Sequence, residues 1–406
     1  MSFSKIAAVL MLAAALSAQT PKRTITDAEV KRAHQRALFI DTHNDVTSRT
    51  VTGFDIGKAA NDGHTDIVRY RAGGFGAQFF AVYVAANYVE GNRSAHRAME
   101  MIDTVRHDII GKYPNDFALA LTADDVIRAR KQGKIASLMG IEGGHAIEDS
   151  PRLLRDFYAL GIRYMTLTHS NTNTWAGSSG DLDGRTKGLT PLGKDIVREM
   201  NRIGMMVDIS HVSDKTFWDA LEVSTAPLLA SHSSCRSISN IPRNMTDEMI
   251  VALAKKGGVV QVNFGCEFLS QKSANTSTFG NPAIREKLAA AMKDFKGTAE
   301  ERRVKLAEVV KSIGLKTVAA TLEDAVAHID HIVKIAGIDA VGIGADYDGV
   351  DCVPVGLEDV SKMPNLTRAL LEKGYTAKDI RRSTARTRCA SCAPRKKRVT
   401  SLFSFE

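Results

Sequence analysis

The chain has 406 residues, 44% of them hydrophobic and 25% charged, enough to bury a large core as one insertion-bearing domain or as two. Its formal charge of +8 would suit an acidic partner, but from residue 380 onward eight basic residues, Arg381 to Arg398, stand against Glu406 alone. The body of the chain is therefore close to neutral and has no basic motif interleaved with aromatics, which argues against a nucleic-acid groove.

Taken in chain order, Lys5 precedes an unbroken apolar run from Ile6 to Leu16, and Leu16-Ser17-Ala18 is a small-residue end suited to cleavage. Residues 1–18 therefore read as a signal peptide of an exported protein, periplasmic or secreted, with a retained N-terminal anchor as the other reading. The run is shorter than the roughly 20 apolar residues a spanning helix needs, so no stable membrane span is expected after cleavage. Short apolar runs then alternate with amphipathic segments, the pattern of βα units around a parallel sheet. Strands are predicted at 37–40, 76–84, 135–141, 164–168, 205–209, 227–230, 259–264 and 340–344. Helices are predicted at 94–110, 152–160, 191–203, 214–221, 246–255 and 322–335. Pro191 after Thr190 opens one of these and Gly204 closes it. Residues 267–321 form a polar, Ser- and Lys-rich insertion, helical in part. No repeat or linker divides the chain, so one domain is expected, and eight strand-helix steps favour a closed (β/α)8-type barrel.

In such a barrel the active-site groups gather at the C-terminal ends of the strands. The strand ends carry His43 and Asp45, Glu142, His169, His211, His232 and Asp346. His43 and Asp45 are two residues apart, so on extended backbone both side chains reach the same side. A histidine after one strand is an ordinary loop residue; ligand-type residues at the same point of six strands form a pattern. His64, His145 and His331 fall outside it and are assigned structural roles, with His145 near enough to Glu142 to support it. Tyr83 and Trp175 either line a pocket or pack the core. The five cysteines are odd in number, leaving at least one unpaired within a monomer, and Cys389 and Cys392 form a lone CxxC of little weight.

Asp41-Thr42-His43-Asn44-Asp45, Glu142-Gly143-Gly144, Thr168-His169-Ser170-Asn171, Asp208-Ile209-Ser210-His211, Ser231-His232-Ser233-Ser234, Arg243-Asn244 and Gly344-Ala345-Asp346-Tyr347-Asp348-Gly349 together resemble the renal (membrane) dipeptidase family of zinc peptidases. The resemblance runs from about residue 35 to 375 and implies a distorted metal-hydrolase barrel that cleaves dipeptides, tolerates a C-terminal D-residue and forms a homodimer. It implies two Zn2+ per chain, one held by His43 and Asp45, the other by His211 and His232, with Glu142 bridging. Imidazole and carboxylate are usual ligands of catalytic zinc, and a hydroxide between two ions would be the nucleophile. No GxSxG elbow offers another.

By the same resemblance His169 stabilises the oxyanion, or else is a neutral histidine bonded to backbone. Arg243 clasps the substrate carboxylate through two parallel donors, or else is a solvated loop arginine. Asp346 shuttles a proton to the leaving amine, with Asp348 as its rival. A carboxylate clamp in a small mouth would make longer peptides poor substrates. Two other readings are a related barrel hydrolase acting on N-acyl amino acids or cyclic amides, and a binding protein that has lost turnover. Manganese, cobalt or iron would also suit these ligands. After Gly374-Tyr375-Thr376 the family's apolar helical ending is missing: 381–398 is Arg-rich, so 380–406 reads as a frame-shifted or divergent, disordered tail.

Overall fold

The computed structural model describes residues 24–385 apart from 278–279, 294, 296–304, 306–307, 311 and 315–317. The proposed signal peptide and residues 386–406 of the basic tail lie outside the described residues. Among the described residues nine strands are present: β1 (Phe39–Asn44), β2 (Phe75–Tyr83), β3 (Phe117–Leu119), β4 (Ile135–Glu142), β5 (Ile162–Thr166), β6 (Met206–Asp208), β7 (Leu229–Ala230), β8 (Val259–Val262) and β9 (Val341–Ile343). All pair in parallel. Eight of them close a ring, β1-β2-β4-β5-β6-β7-β8-β9 and back to β1, because β2 pairs directly with β4. The ring is the expected eight-stranded (β/α)8 barrel.

The ninth strand, β3, was not anticipated. It pairs with Ile135 to Ser137 of β4, and β5 takes over from Met139 onward. Three residues are too short a run to show period-two alternation in a sequence. The first strand also runs further than expected, through His43 to Asn44, so that His43 is held inside the ladder rather than in the loop after it.

Adjacent strand residues fall into two separate apolar clusters. Leu38, Ile40, Phe79, Leu138, Tyr164 and Met206 belong to one. Their neighbours Phe39, Phe80, Met139, Met165 and Val207 belong to the other. Side chains alternate across a strand, so the first set fills the barrel and the second meets the surrounding helices.

The helix Pro191–Ile203 has the predicted bounds: the Thr190 side chain accepts from Gly193 N, and Gly204 ends it at φ +93°, a conformation glycine adopts without cost. The segment predicted as one helix over 94–110 is α-helical over Ser94–Asp103 and widens to a π-helix over Thr104–Gly111. Helices at Asp27–Arg36, Ile67–Gly73, Ala123–Lys131 and Met363–Glu372 add to the predicted set. Ala377–Ala385 is also helical, with Ile380 and Ser383 buried, so order continues into the start of the stretch read as a tail. Among the described residues, no helix is long and apolar enough to cross a membrane.

Candidate metal centre

The strand ends deliver the predicted residues to one place. His43 lies within β1 and Asp45 just beyond it; Glu142 ends β4. His169, His211, His232 and Asp346 follow β5, β6, β7 and β9 by two or three residues. His211 and Asp346 adopt φ of +67° and +62°, sparsely populated backbone for a side chain other than glycine, of a kind that clusters at functional sites.

Glu142 is the hub. Its Oε2 lies 3.5 Å from His43 Nε2, while its Oε1 lies 2.9 Å from His211 Nε2 and 3.2 Å from His232 Nε2. His43 Nε2 is also 3.1 Å from Asp45 Oδ2. One oxygen thus faces the His43–Asp45 side and the other the His211–His232 side. Three overlapping sets of donor atoms, each within 4.8 Å of one another, could hold metal: His43, Glu142 and His232; Glu142, His169 and His211; His43, Asp45 and Asp346.

Two of the imidazoles have their tautomers set from behind. His43 Nδ1 is 2.9 Å from the Tyr164 hydroxyl, whose proton is committed to the Thr42 carbonyl at 3.0 Å. The hydroxyl oxygen must then accept from His43 Nδ1–H, leaving the Nε2 lone pair bare. His232 repeats the logic: Nδ1 is 2.8 Å from Ser231 Oγ, which donates to Asp208 Oδ2 at 2.6 Å. Both Nε2 atoms are buried without a hydrogen-bond partner and point at the Glu142 carboxylate. Buried lone pairs beside a carboxylate are what a cation needs. Burial lowers the His43 pKa, but Tyr164, Glu142 and Asp45 raise it further, well above an ordinary imidazole. Burial holds His211 and His232 well below an ordinary imidazole, which leaves both neutral with a lone pair to give, and with His43, Asp45 and Glu142 they make a donor set that fits divalent cations.

Around this cluster lies a cavity of about 420 Å³ whose walls include Tyr83, Glu142, His169, Arg243, Glu267 and Asp346. Burial pushes the Asp346 carboxyl well above its ordinary range, and the charges of Asp45 and Glu142 push the same way. Its Oδ2 accepts from Asn263 Nδ2 at 2.7 Å, and it shares a hydrogen bond with Asp45. Its rival Asp348 is engaged elsewhere, accepting from Arg49 Nη1 at 3.3 Å and His64 N at 2.9 Å. His169 is partly exposed to the cavity, its ring 4.8 Å from Tyr83 and 4.3 Å from His211. Burial takes its pKa down to about 4 despite the Glu142 charge, so the ring is neutral.

Arg243 is 3% exposed, donates from Nη2 to the His232 carbonyl at 3.2 Å and stacks over Phe268. Its Nε and Nη1 are buried without partners. The guanidinium is thus left with unused donors, on two of its nitrogens, for an incoming acceptor. A disulfide between Cys266 and Cys352 ties the turn carrying Glu267 and Phe268 to the loop carrying Val350 and Asp351, all four lining the cavity. Cys235 is the free, buried cysteine among the described residues.

His145 donates from Nε2 to the Val84 carbonyl (2.9 Å) and His331 meets Asp247 at 2.8 Å, in keeping with structural roles. Of the two aromatics left open, Tyr83 lines the cavity and Trp175 is fully buried. Sequence reasoning missed Tyr164, Asp208, Asn263 and Asp41. Asp41 Oδ1 accepts from His43 N and Ala345 N, binding the first strand end to the last. Asp41 and Asp208 were inside the quoted motifs; Tyr164 looked like any apolar strand residue.

Residues 27–386 match the family described as membrane dipeptidase, peptidase family M19. Two uncharacterized dipeptidases of Schizosaccharomyces pombe are 34% and 35% identical, over 87% and 84% of this chain and 79% and 77% of their own. Among solved structures, the probable dipeptidase PvdM of Pseudomonas aeruginosa superposes with a TM-score of 0.74 at 26% identity, covering 88% of this chain and 95% of that one. A metallopeptidase of Rhodobacter sphaeroides, liganded with a phosphinate mimic of L-Ala-D-Ala, gives 0.68 at 25% identity, covering 86% and 96%. With a family match spanning the barrel and both relatives above 30% identity, the chain belongs to the membrane dipeptidase family of metallopeptidases.

Proposed function

We propose that the protein is a zinc-dependent exopeptidase that hydrolyses dipeptides and accepts a D-residue at the C-terminal position. The observation that carries this reading is the division of Glu142, one oxygen toward His43 and Asp45 and the other toward His211 and His232. Two zinc ions held by these five residues would polarise the scissile carbonyl and make a water acidic enough to attack at neutral pH. The remaining work falls to the chain. Arg243 takes the free carboxylate of the substrate on its unused N–H groups and fixes the peptide bond over Glu142. His169, neutral and beside the cavity, donates to the oxygen that becomes negative as the carbonyl is attacked. Asp346, on the cavity wall beside Asp45, takes the proton that the attacking water gives up and passes it to the departing amine.

Acceptance of a D-residue draws on the Rhodobacter relative, whose bound ligand mimics L-Ala-D-Ala. The disulfide between Cys266 and Cys352 favours an oxidising compartment, in line with the exported protein read from residues 1–18. A homodimer remains part of the proposal on the family resemblance.

Purified protein assayed on L,L- and L,D-dipeptides, their C-terminal amides, N-acyl amino acids and cyclic amides is expected to turn over both free dipeptide series. Activity should vanish on chelation and return with zinc. Preferential turnover of N-acyl amino acids or cyclic amides would replace this reading with the related hydrolase, and no turnover of any of them would leave a binding protein.

A further inference from the structure

The cavity beside the metal cluster has an acidic wall that the proposed reaction does not use. Glu267 and Asp351 line it, with the apolar side chains of Phe268 and Val350 beside them. Each acid is the chain neighbour of one half of the Cys266–Cys352 disulfide, and Cys266 N also donates to the Cys352 carbonyl at 3.0 Å, so the two segments are tied together. The turn that carries Glu267 is fixed from behind: Ser239 Oγ donates to the Glu267 carbonyl at 2.6 Å, and Asn244 Nδ2 to that of Phe268 at 2.9 Å. The Arg243 guanidinium lies over the Phe268 ring, 5.1 Å from its centre. The acids therefore stand at the Arg243 end of the cavity. Neither has an ion-pair partner among the described residues. Burial, then the charge of Asp351, raises the Glu267 pKa, Arg243 lowers it, and no metal-cluster residue acts on it.

Resting on the dipeptidase reading, we propose that Glu267 and Asp351 select dipeptides whose C-terminal residue carries a cationic side chain, such as lysine or ornithine. Arg243, buried with unused donors, fixes where the α-carboxylate goes. In that residue the side chain leaves from the carbon that bears the carboxylate, so it runs along the wall next to Arg243. Phe268 and Val350 offer apolar surface to its methylene stem, and the two carboxylates take the ammonium at its tip. Arg243 does not cancel the wall, because its charge is given to the substrate carboxylate. An uncharged side chain leaves the half-buried Glu267 without a counter-charge, and an acidic one meets like charge.

The test compares kcat/KM of the zinc-loaded protein for L-Ala-L-Lys and L-Ala-L-norleucine, which share a carbon stem and differ in the ammonium. The reversed pair, L-Lys-L-Ala and L-norleucyl-L-Ala, is measured alongside. Wild type should favour the lysine peptide about tenfold in the first pair and much less in the second. Glu267→Gln should bring the first ratio to within about twofold of one, and Asp351→Asn should lower it by a smaller factor. General damage in either variant slows both members of a pair alike and leaves their ratio. Equal turnover of the first pair by wild type overturns the proposal and leaves the dipeptidase reading standing. So does a preference that Glu267→Gln does not change, or one found in the reversed pair instead. Turnover of none of these peptides overturns the dipeptidase reading and this inference with it.

Discussion

Glu142→Gln is expected to lower dipeptide turnover by roughly a thousandfold or more and to reduce the metal held per chain. Gln keeps the volume and can still hydrogen-bond, but it has no charge to share between the His43–Asp45 side and the His211–His232 side. Removing a residue that only supports a ligand costs about 10- to 100-fold in metal affinity, and Glu142 touches both halves of the cluster directly. Kinetics paired with metal analysis of the purified variant check this. Retained turnover with full metal content would show that Glu142 is not the shared ligand.

Arg243→Lys should cost about 100- to 1,000-fold in kcat/KM for dipeptides, roughly 3–4 kcal/mol of transition-state stabilisation. The charge survives, but the two-pronged donor and the stacking over Phe268 do not. Wild type should strongly prefer a dipeptide to its C-terminal amide, because the amide presents no paired oxygens to the fork. In the lysine variant that preference should narrow. Comparing the two substrates in the two proteins separates loss of carboxylate recognition from general damage, which would slow both substrates alike.

Much of the mouth was legible in the sequence because each element is announced locally. A buried run ends, and a His, Asp or Glu follows within three residues; the barrel's closure then brings six such ends together. What stayed hidden depends on contacts between distant segments. Tyr164 fixes the His43 tautomer from three strands along the ring, and Asn263 holds Asp346 from β8's end. Neither has a local signature, since an isolated Tyr in a strand reads as core. Gly140 is as silent: its lack of a side chain lets the Tyr164 ring lie against β4, where a Cβ would collide with it. The pairing of Cys266 with Cys352 across 86 residues is likewise not a property of either neighbourhood. Helix boundaries were clearest where capping chemistry was written out, as at Thr190, Pro191 and Gly204. They were poorest where a helix widened without a sequence break, as at Thr104–Gly111.

The central claim is that five side chains from four strand ends grip two cations at once, and zinc titration into metal-free protein tests it most directly. Dipeptide turnover followed against zinc added per chain should rise to a plateau at two equivalents, with two ions retained after gel filtration. A plateau at one equivalent, or turnover that needs no metal, would contradict it.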